Sequence, residues 1–190
     1  MQRTNTTMQT GDILLFDEKP NNCIRCIDDF IKCFTCSKFS HSALVVVDPP
    51  WTKKGIYVWE SSYHGTPDPQ DGKIKFGVQL QPLSFYTHHY PGKVHIYIRK
   101  APKLVSQRLQ LQLTRIHKLV YNKPYDARPD HWIEAWCKCA KRQNNRFFCS
   151  AFVTYVLNEV GVMEDNWDNV TAAMLEHIPQ CYGNLKILKS

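Results

Sequence analysis

The chain has 190 residues, of which 43% are apolar, and carries a formal charge of +7 at neutral pH. That length supports a single domain, 1–190, with a real core, and that composition excludes a disordered chain. The positive excess is diffuse, so it suits an anionic partner surface (membrane or nucleic acid) without selecting one.

No apolar run reaches the length of a membrane span, and residues 1–10 lack the apolar stretch of a secretory signal. A cytoplasmic, reducing setting is therefore expected. There the eight cysteines read as thiols or metal ligands ahead of disulfides.

Thr10-Gly11-Asp12 opens Ile13-Leu14-Leu15-Phe16, a continuous apolar run predicted to be a buried strand. Residues 17–22 read as a turn. Asn22 then caps a predicted helix with the stripe Cys23, Cys26, Ile27, Phe30, Cys33 and Phe34. Two Cys-x-x-Cys pairs lie here, Cys23/Cys26 and Cys33/Cys36. Four thiolates could hold zinc tetrahedrally, but the six residues between the pairs are fewer than zinc fingers or ribbons use. Three of the four also fit the apolar stripe. Packing is favoured over zinc, and neither a metal nor another cofactor is assigned.

Residues 40–48 are β-branched and bounded by Pro49-Pro50, which predicts a strand, and residues 56–60 predict a second. If the two form a hairpin that pairs Asp48 near Gly55, Ala43 pairs near Glu60. His41 lies two residues from Ala43 and shares its face, so His41 and Glu60 become diagonal neighbours. Taken singly, His41 reads as a strand-end histidine and Glu60 as a solvated strand end.

Residues 61–75, rich in Gly, Pro and Asp, read as a surface loop. A short strand at 78–80 and a turn or short helix at 82–86 follow. His64, His88 and His89 read as surface histidines, because no acidic or Cys partner has metal-ligand spacing. Residues 93–99 alternate as a strand with one buried face. Leu109, Leu113, Ile116 and Val120 mark a helix, although Leu109, Leu111 and Leu113 would also suit a strand. Asp130 caps a further predicted helix carrying Trp132, Ile133 and Trp136 and ending near Cys137-Lys138-Cys139. Residues 141–145 form a polar link. A short helix at 170–175 and an edge strand or surface segment at 185–188 complete the chain.

Phe152, Val153, Val156 and Val160 fall at helical spacing, and Gly161 is a natural stop. Cys149 therefore sits in the first turn of a mostly buried helix, where the positive end of the macrodipole favours thiolate over thiol. A buried structural cysteine is the commoner fate of a single Cys. A nucleophile needs a base and a group to orient the base, and His41 and Glu60 supply both residue types.

Thr10-Gly11-Asp12-Ile13-Leu14-Leu15-Phe16, Ser37-Lys38-Phe39-Ser40-His41-Ser42-Ala43-Leu44-Val45, Trp59-Glu60-Ser61, Pro124-Tyr125-Asp126 and Phe148-Cys149-Ser150-Ala151-Phe152-Val153 together resemble the circularly permuted branch of the NlpC-type papain-like cysteine hydrolases. That branch includes the bacterial YiiX-like proteins, a poxvirus member and, more distantly, lecithin retinol acyltransferase. The resemblance implies an α+β papain-like fold, with the nucleophile-bearing helix packed against an antiparallel sheet. It implies Cys149 as nucleophile, His41 as base and Glu60 as the residue orienting it. The expected activity is hydrolysis of a peptide, amide or acyl substrate through an acyl-enzyme. A lipid acyltransferase or thioesterase on the same triad is the alternative, and a non-enzymatic binding or virion-associated scaffold is the second. The N-terminal cysteine pairs and the Trp- and Cys-rich stretch 126–145 depart from the family pattern.

Overall fold

The computed structural model describes residues 7–19, 38–89, 93–126, 146–163, 170–177 and 181–189. Two predicted helices, with Cys23, Cys26, Cys33 and Cys36 on or beside one and Asp130, Trp132, Ile133, Trp136, Cys137 and Cys139 on the other, lie outside the described residues, as does the 141–145 link. The fold is α+β, built on one six-stranded antiparallel sheet. Its strands are β1 (Ile13–Lys19), β2 (His41–Val47), β3 (Ile56–Pro67), β4 (Ile74–Pro82), β5 (Lys93–Arg99) and β6 (Lys186–Lys189), in the spatial order β4-β3-β2-β1-β5-β6. The helices are α1 (Lys103–Val120), α2 (Cys149–Glu159) and the single turn α3 (Ala172–Leu175).

The sheet is apolar on both faces, as expected of strands covered on both sides. Ile13, Leu15, Leu44, Val46, Trp59 and Leu80 pack against α1 and α2. Leu14, Phe16, Ala43, Val45 and Val58 point the other way, with Val94, Ile96, Ile98 and Tyr86. The run 13–16 is fully buried, and its alternate side chains feed both layers. The alternating segment 93–99 is β5, and the C-terminal segment forms the edge strand β6 against it.

Two sequence expectations are corrected. Asp17, Glu18 and Lys19 are not a turn: they continue β1 and pair with His95, Val94 and Lys93 of β5. Most of 61–75 is not a loop either. β3 runs on to Pro67 and β4 begins at Ile74, so only six residues turn the chain. Asp68 closes that turn. Its carbonyl accepts from Gly72 N–H at 2.7 Å, its own N–H donates to Lys73 at 2.8 Å, and its carboxylate accepts from Lys75 Nζ at 2.8 Å. Of the Gly and Pro residues that suggest a loop, Gly65 (φ +68°) and Pro67 are absorbed at the irregularity between Tyr63 and Pro67, and Pro69 and Gly72 lie in the turn itself.

The 109–113 ambiguity resolves to helix. Leu109, Leu113, Ile116 and Val120 are buried along one stripe, while Leu111 is 86% exposed. Alternation would have buried Leu111 with its neighbours, and the helical period turns it to solvent. In the 82–86 segment Pro82 ends β4, and Leu83-Ser84 form a helical turn that enters a π-helical turn at Phe85–His89.

Candidate functional site

The β2–β3 register is Leu44 with Trp59, Val45 with Val58, Val46 with Tyr57 and Val47 with Ile56. The Asp48 N–H donates to the Gly55 carbonyl at 2.8 Å. This is the predicted register, and it puts Ala43 beside Glu60 and His41 on the diagonal. His41 Nε2 lies 2.5 Å from Glu60 Oε2. Glu60 is fully buried, and only 12% of the His41 side chain is exposed. The ring of Phe16 lies 5.1 Å from the His41 ring and closes that side.

Cys149 is the first residue of α2, with Phe148 as its extended N-cap residue. Every residue from Cys149 to Leu157 is buried, as in a helix apolar all round and enclosed by its neighbours. Its far end closes as predicted. Gly161 takes φ +69°, the Val162 N–H donates to Leu157, and the Gly161 N–H donates to Asn158. That pairing is a Schellman stop.

The segment preceding Cys149 is held from two directions. Ser61 Oγ donates to the Phe147 carbonyl at 2.7 Å, and the Phe147 N–H donates to the Pro124 carbonyl at 3.1 Å. Glu60 and Ser61 are adjacent on β3 and point to opposite faces. One orients His41, and the other anchors the entry to α2. Pro124 in turn lies against Gly77, whose φ is +150°. A Cβ built there would stand 2.2 Å from the Lys123 carbonyl oxygen, so only glycine admits this approach.

Cys149 acts on the His41 ring as well as Glu60 does, and both raise its basicity. Nε2 is on Glu60, so Nδ1 is the nitrogen left for the thiol. Burial pushes the His41 imidazole down, yet the hydrogen bonds to Cys149 and Glu60 and the charge of Glu60 hold it well above its ordinary value. Burial likewise pushes the Glu60 carboxyl up. The charges and hydrogen bonds of His64 and His41 overcome this and hold it well below the usual carboxylate range. An ionised carboxylate against an imidazolium is a charge-assisted pair, and here it stands next to a thiol at a helix N-terminus.

Two further residues belong to this cluster, and the sequence reading did not place them there. His64 is not a surface histidine. Its side chain is 7% exposed, and Nε2 lies 2.7 Å from Glu60 Oε1. The fully buried Tyr86 hydroxyl donates to the same Oε1. The signal for His64 was the even spacing Glu60, Ser62, His64, which shares one face of a strand. Reading 61–75 as a loop hid it. Tyr86 had no comparable signal, because its approach depends on where the π-helical turn folds back.

The Thr10-Gly11-Asp12 motif has a structural part to play. Asp12 is buried and accepts from the Ala101 N–H at 2.9 Å and the Gln9 N–H at 3.0 Å, and Lys100 Nζ also donates to it. The Gly11 N–H donates to the Val45 carbonyl at 2.9 Å, so Thr10-Gly11-Asp12 joins the ends of three strands. Among the described residues, no group of three His, Cys, Asp or Glu side chains is arranged to hold a metal ion, and no helix is long and apolar enough to cross a membrane.

No family model matches the chain, and neither does any curated protein.

Proposed function

We propose that this protein is a thiol hydrolase of the permuted papain-like type, acting on an amide or ester carbonyl through Cys149, His41 and Glu60. One observation carries the reading. A buried carboxylate is paired with an imidazole whose basicity is also raised by a cysteine at the first position of a buried helix.

In this reaction His41 takes the Cys149 proton and becomes an imidazolium stabilised by Glu60. The thiolate attacks the substrate carbonyl carbon and forms an S–C bond. N–H groups in the first turn of α2, which have no acceptor within the helix, stabilise the oxyanion. The carbonyl re-forms as the C–N or C–O bond breaks, and the leaving group takes the His41 proton. Water, deprotonated by neutral His41, then attacks the thioester. The S–C bond breaks, a carboxylic acid leaves, and the thiol returns.

The test is labelling with a thiol-directed acyl probe. Wild type is expected to label at one site and Cys149→Ala not at all. Equal labelling of the two proteins would end the proposal.

A second reading, acyl transfer or thioester cleavage on a lipid substrate, has one observation in its favour. Tyr63 and Phe76 are 60% and 54% exposed, and Tyr125 stacks on Phe76 with ring centroids 5.0 Å apart. The Tyr125 backbone bridges to Phe147, two residues before Cys149, so this exposed aromatic group sits on the segment that leads into α2. Release of a fatty acid from a thioester, with no turnover of peptide amides, would favour this reading over the first.

A further inference from the structure

Glu60 has two oxygens, and they are used differently. Oε2 faces His41. Oε1 faces His64 Nε2 at 2.7 Å and the Tyr86 hydroxyl. An ionised carboxylate only accepts hydrogen bonds, so the His41 ring, the His64 ring and the Tyr86 hydroxyl must all present protons to it. That fixes Nε2 as the protonated nitrogen on both rings.

The second ring is itself held. Ser62 Oγ stands 3.0 Å from His64 Nε2, and Gln79 Nε2 donates to both the carbonyl and the hydroxyl of Ser62, at 2.7 and 3.0 Å. Phe85 packs on the His64 ring at 5.3 Å. Lys189 Nζ, from β6, donates to the Tyr86 carbonyl at 2.8 Å and ties the π-helical turn to the sheet edge. Side chains from β2, β3 and the π-helical turn thus converge on one carboxylate, with β4 and β6 supporting them from behind.

We infer that His64 and Tyr86 are positioning residues of the proposed site. They clamp Oε1 of Glu60 and keep that carboxyl ionised in a dry environment, so that Oε2 can hold the His41 imidazolium beside Cys149. The inference rests on the hydrolase reading and extends it from three residues to five. A fully buried carboxyl loses its charge when its donors are removed, because desolvation then dominates. Without that charge the imidazolium loses its partner, and the thiolate follows. Among the described residues, the titratable groups facing Glu60 are His41 from β2, His64 from β3 itself and Tyr86 from the π-helical turn. Cys149 on α2 acts through His41.

The experiment uses the full chain with ¹³C-carboxyl-labelled glutamate. It follows the Glu60 carboxyl by NMR and, in parallel, the pH dependence of Cys149 alkylation by iodoacetamide. Tyr86→Phe removes a single oxygen, and His64→Phe keeps a ring against Phe85 but removes the donor. Both variants are expected to raise the Glu60 titration by about one pH unit or more and to move the acid limb of Cys149 alkylation upward with it. Tyr86→Phe keeps the test open if His64→Phe does not fold. A Glu60 titration unchanged in the folded variants, or one that moves while the alkylation limb stays, would overturn the inference. Failure of the hydrolase reading looks different: wild-type Cys149 would alkylate as an ordinary free thiol, before any variant is compared.

Discussion

At His41 two opposing effects meet, and the outcome decides the chemistry. Burial favours the neutral ring, whereas the Cys149 and Glu60 hydrogen bonds and the Glu60 charge favour the imidazolium, and these prevail. Replacing Glu60 by Gln keeps the shape and removes the charge. The His41 midpoint, read from its ring protons by NMR, is expected to fall by about one pH unit or more toward 6.5. A midpoint that did not move would mean that Glu60 is a spectator. His41→Ala is expected to slow iodoacetamide alkylation of Cys149 at pH 6 by roughly tenfold, the effect of losing a general base or ion-pair partner. An equal rate in the two proteins would reduce Cys149 to a packed thiol.

The elements that carry these residues are held by a few contacts, and they predict where the fold is sensitive. Gly77 on β4 admits the 123–126 segment, which in turn holds Phe147 ahead of α2. Gly77→Ala forces the Lys123–Pro124 backbone away and is expected to destabilise the protein by about 2 kcal/mol or more. It should also weaken acyl-probe labelling at Cys149, since the helix entry loses its support. Urea denaturation together with labelling checks both, and an unchanged denaturation midpoint would contradict the contact. On α1 the helical period makes a sharper contrast. Leu109→Ala empties a fully buried position and is expected to cost about 2–5 kcal/mol. Leu111→Ala, at an exposed position on the same helix, should stay within about 0.5 kcal/mol of wild type. Similar costs at the two positions would argue for the strand alternative.

The His41–Glu60 pair also links the stability of the whole molecule to pH, and its two members act at opposite ends of the scale. The Glu60 carboxyl is lowered in the folded protein, so its contribution is complete above its ordinary value of 4.5 and is lost as pH falls toward the folded one. His41 is raised, so its contribution is complete below 6.5 and is lost as pH rises through the folded value. The stability difference between wild type and Glu60→Gln should therefore be largest between about pH 4.5 and 6.5 and shrink on the alkaline side. Thermal melts of both proteins across pH 4 to 9 measure it. A difference that grows above pH 8 would have the wrong sign for this pair.

The local features were legible in the residues alone, because they depend on periods and turns. The helical stripe from Phe152 to Val160 with its Gly161 stop, the buried run 13–16 and the alternation at 93–99 each follow from the period of a single element against the apolar layers it meets. The His41–Glu60 contact was legible for the same reason. A hairpin with a short connection has few registers, and the one pairing Asp48 near Gly55 carries the diagonal with it. What the tertiary structure decided is the remainder of the cluster. Tyr86 reaches Glu60 across 26 residues and Ser61 reaches Phe147 across 86. No periodicity encodes such distances, because they are set by how separate elements dock. The length of β3 belongs to the same class. Gly65 and Pro67 favour a loop by their own backbone preferences, and pairing with β4 overrides them. That pairing keeps Glu60, Ser62 and His64 on one face and brings the second histidine to the carboxylate.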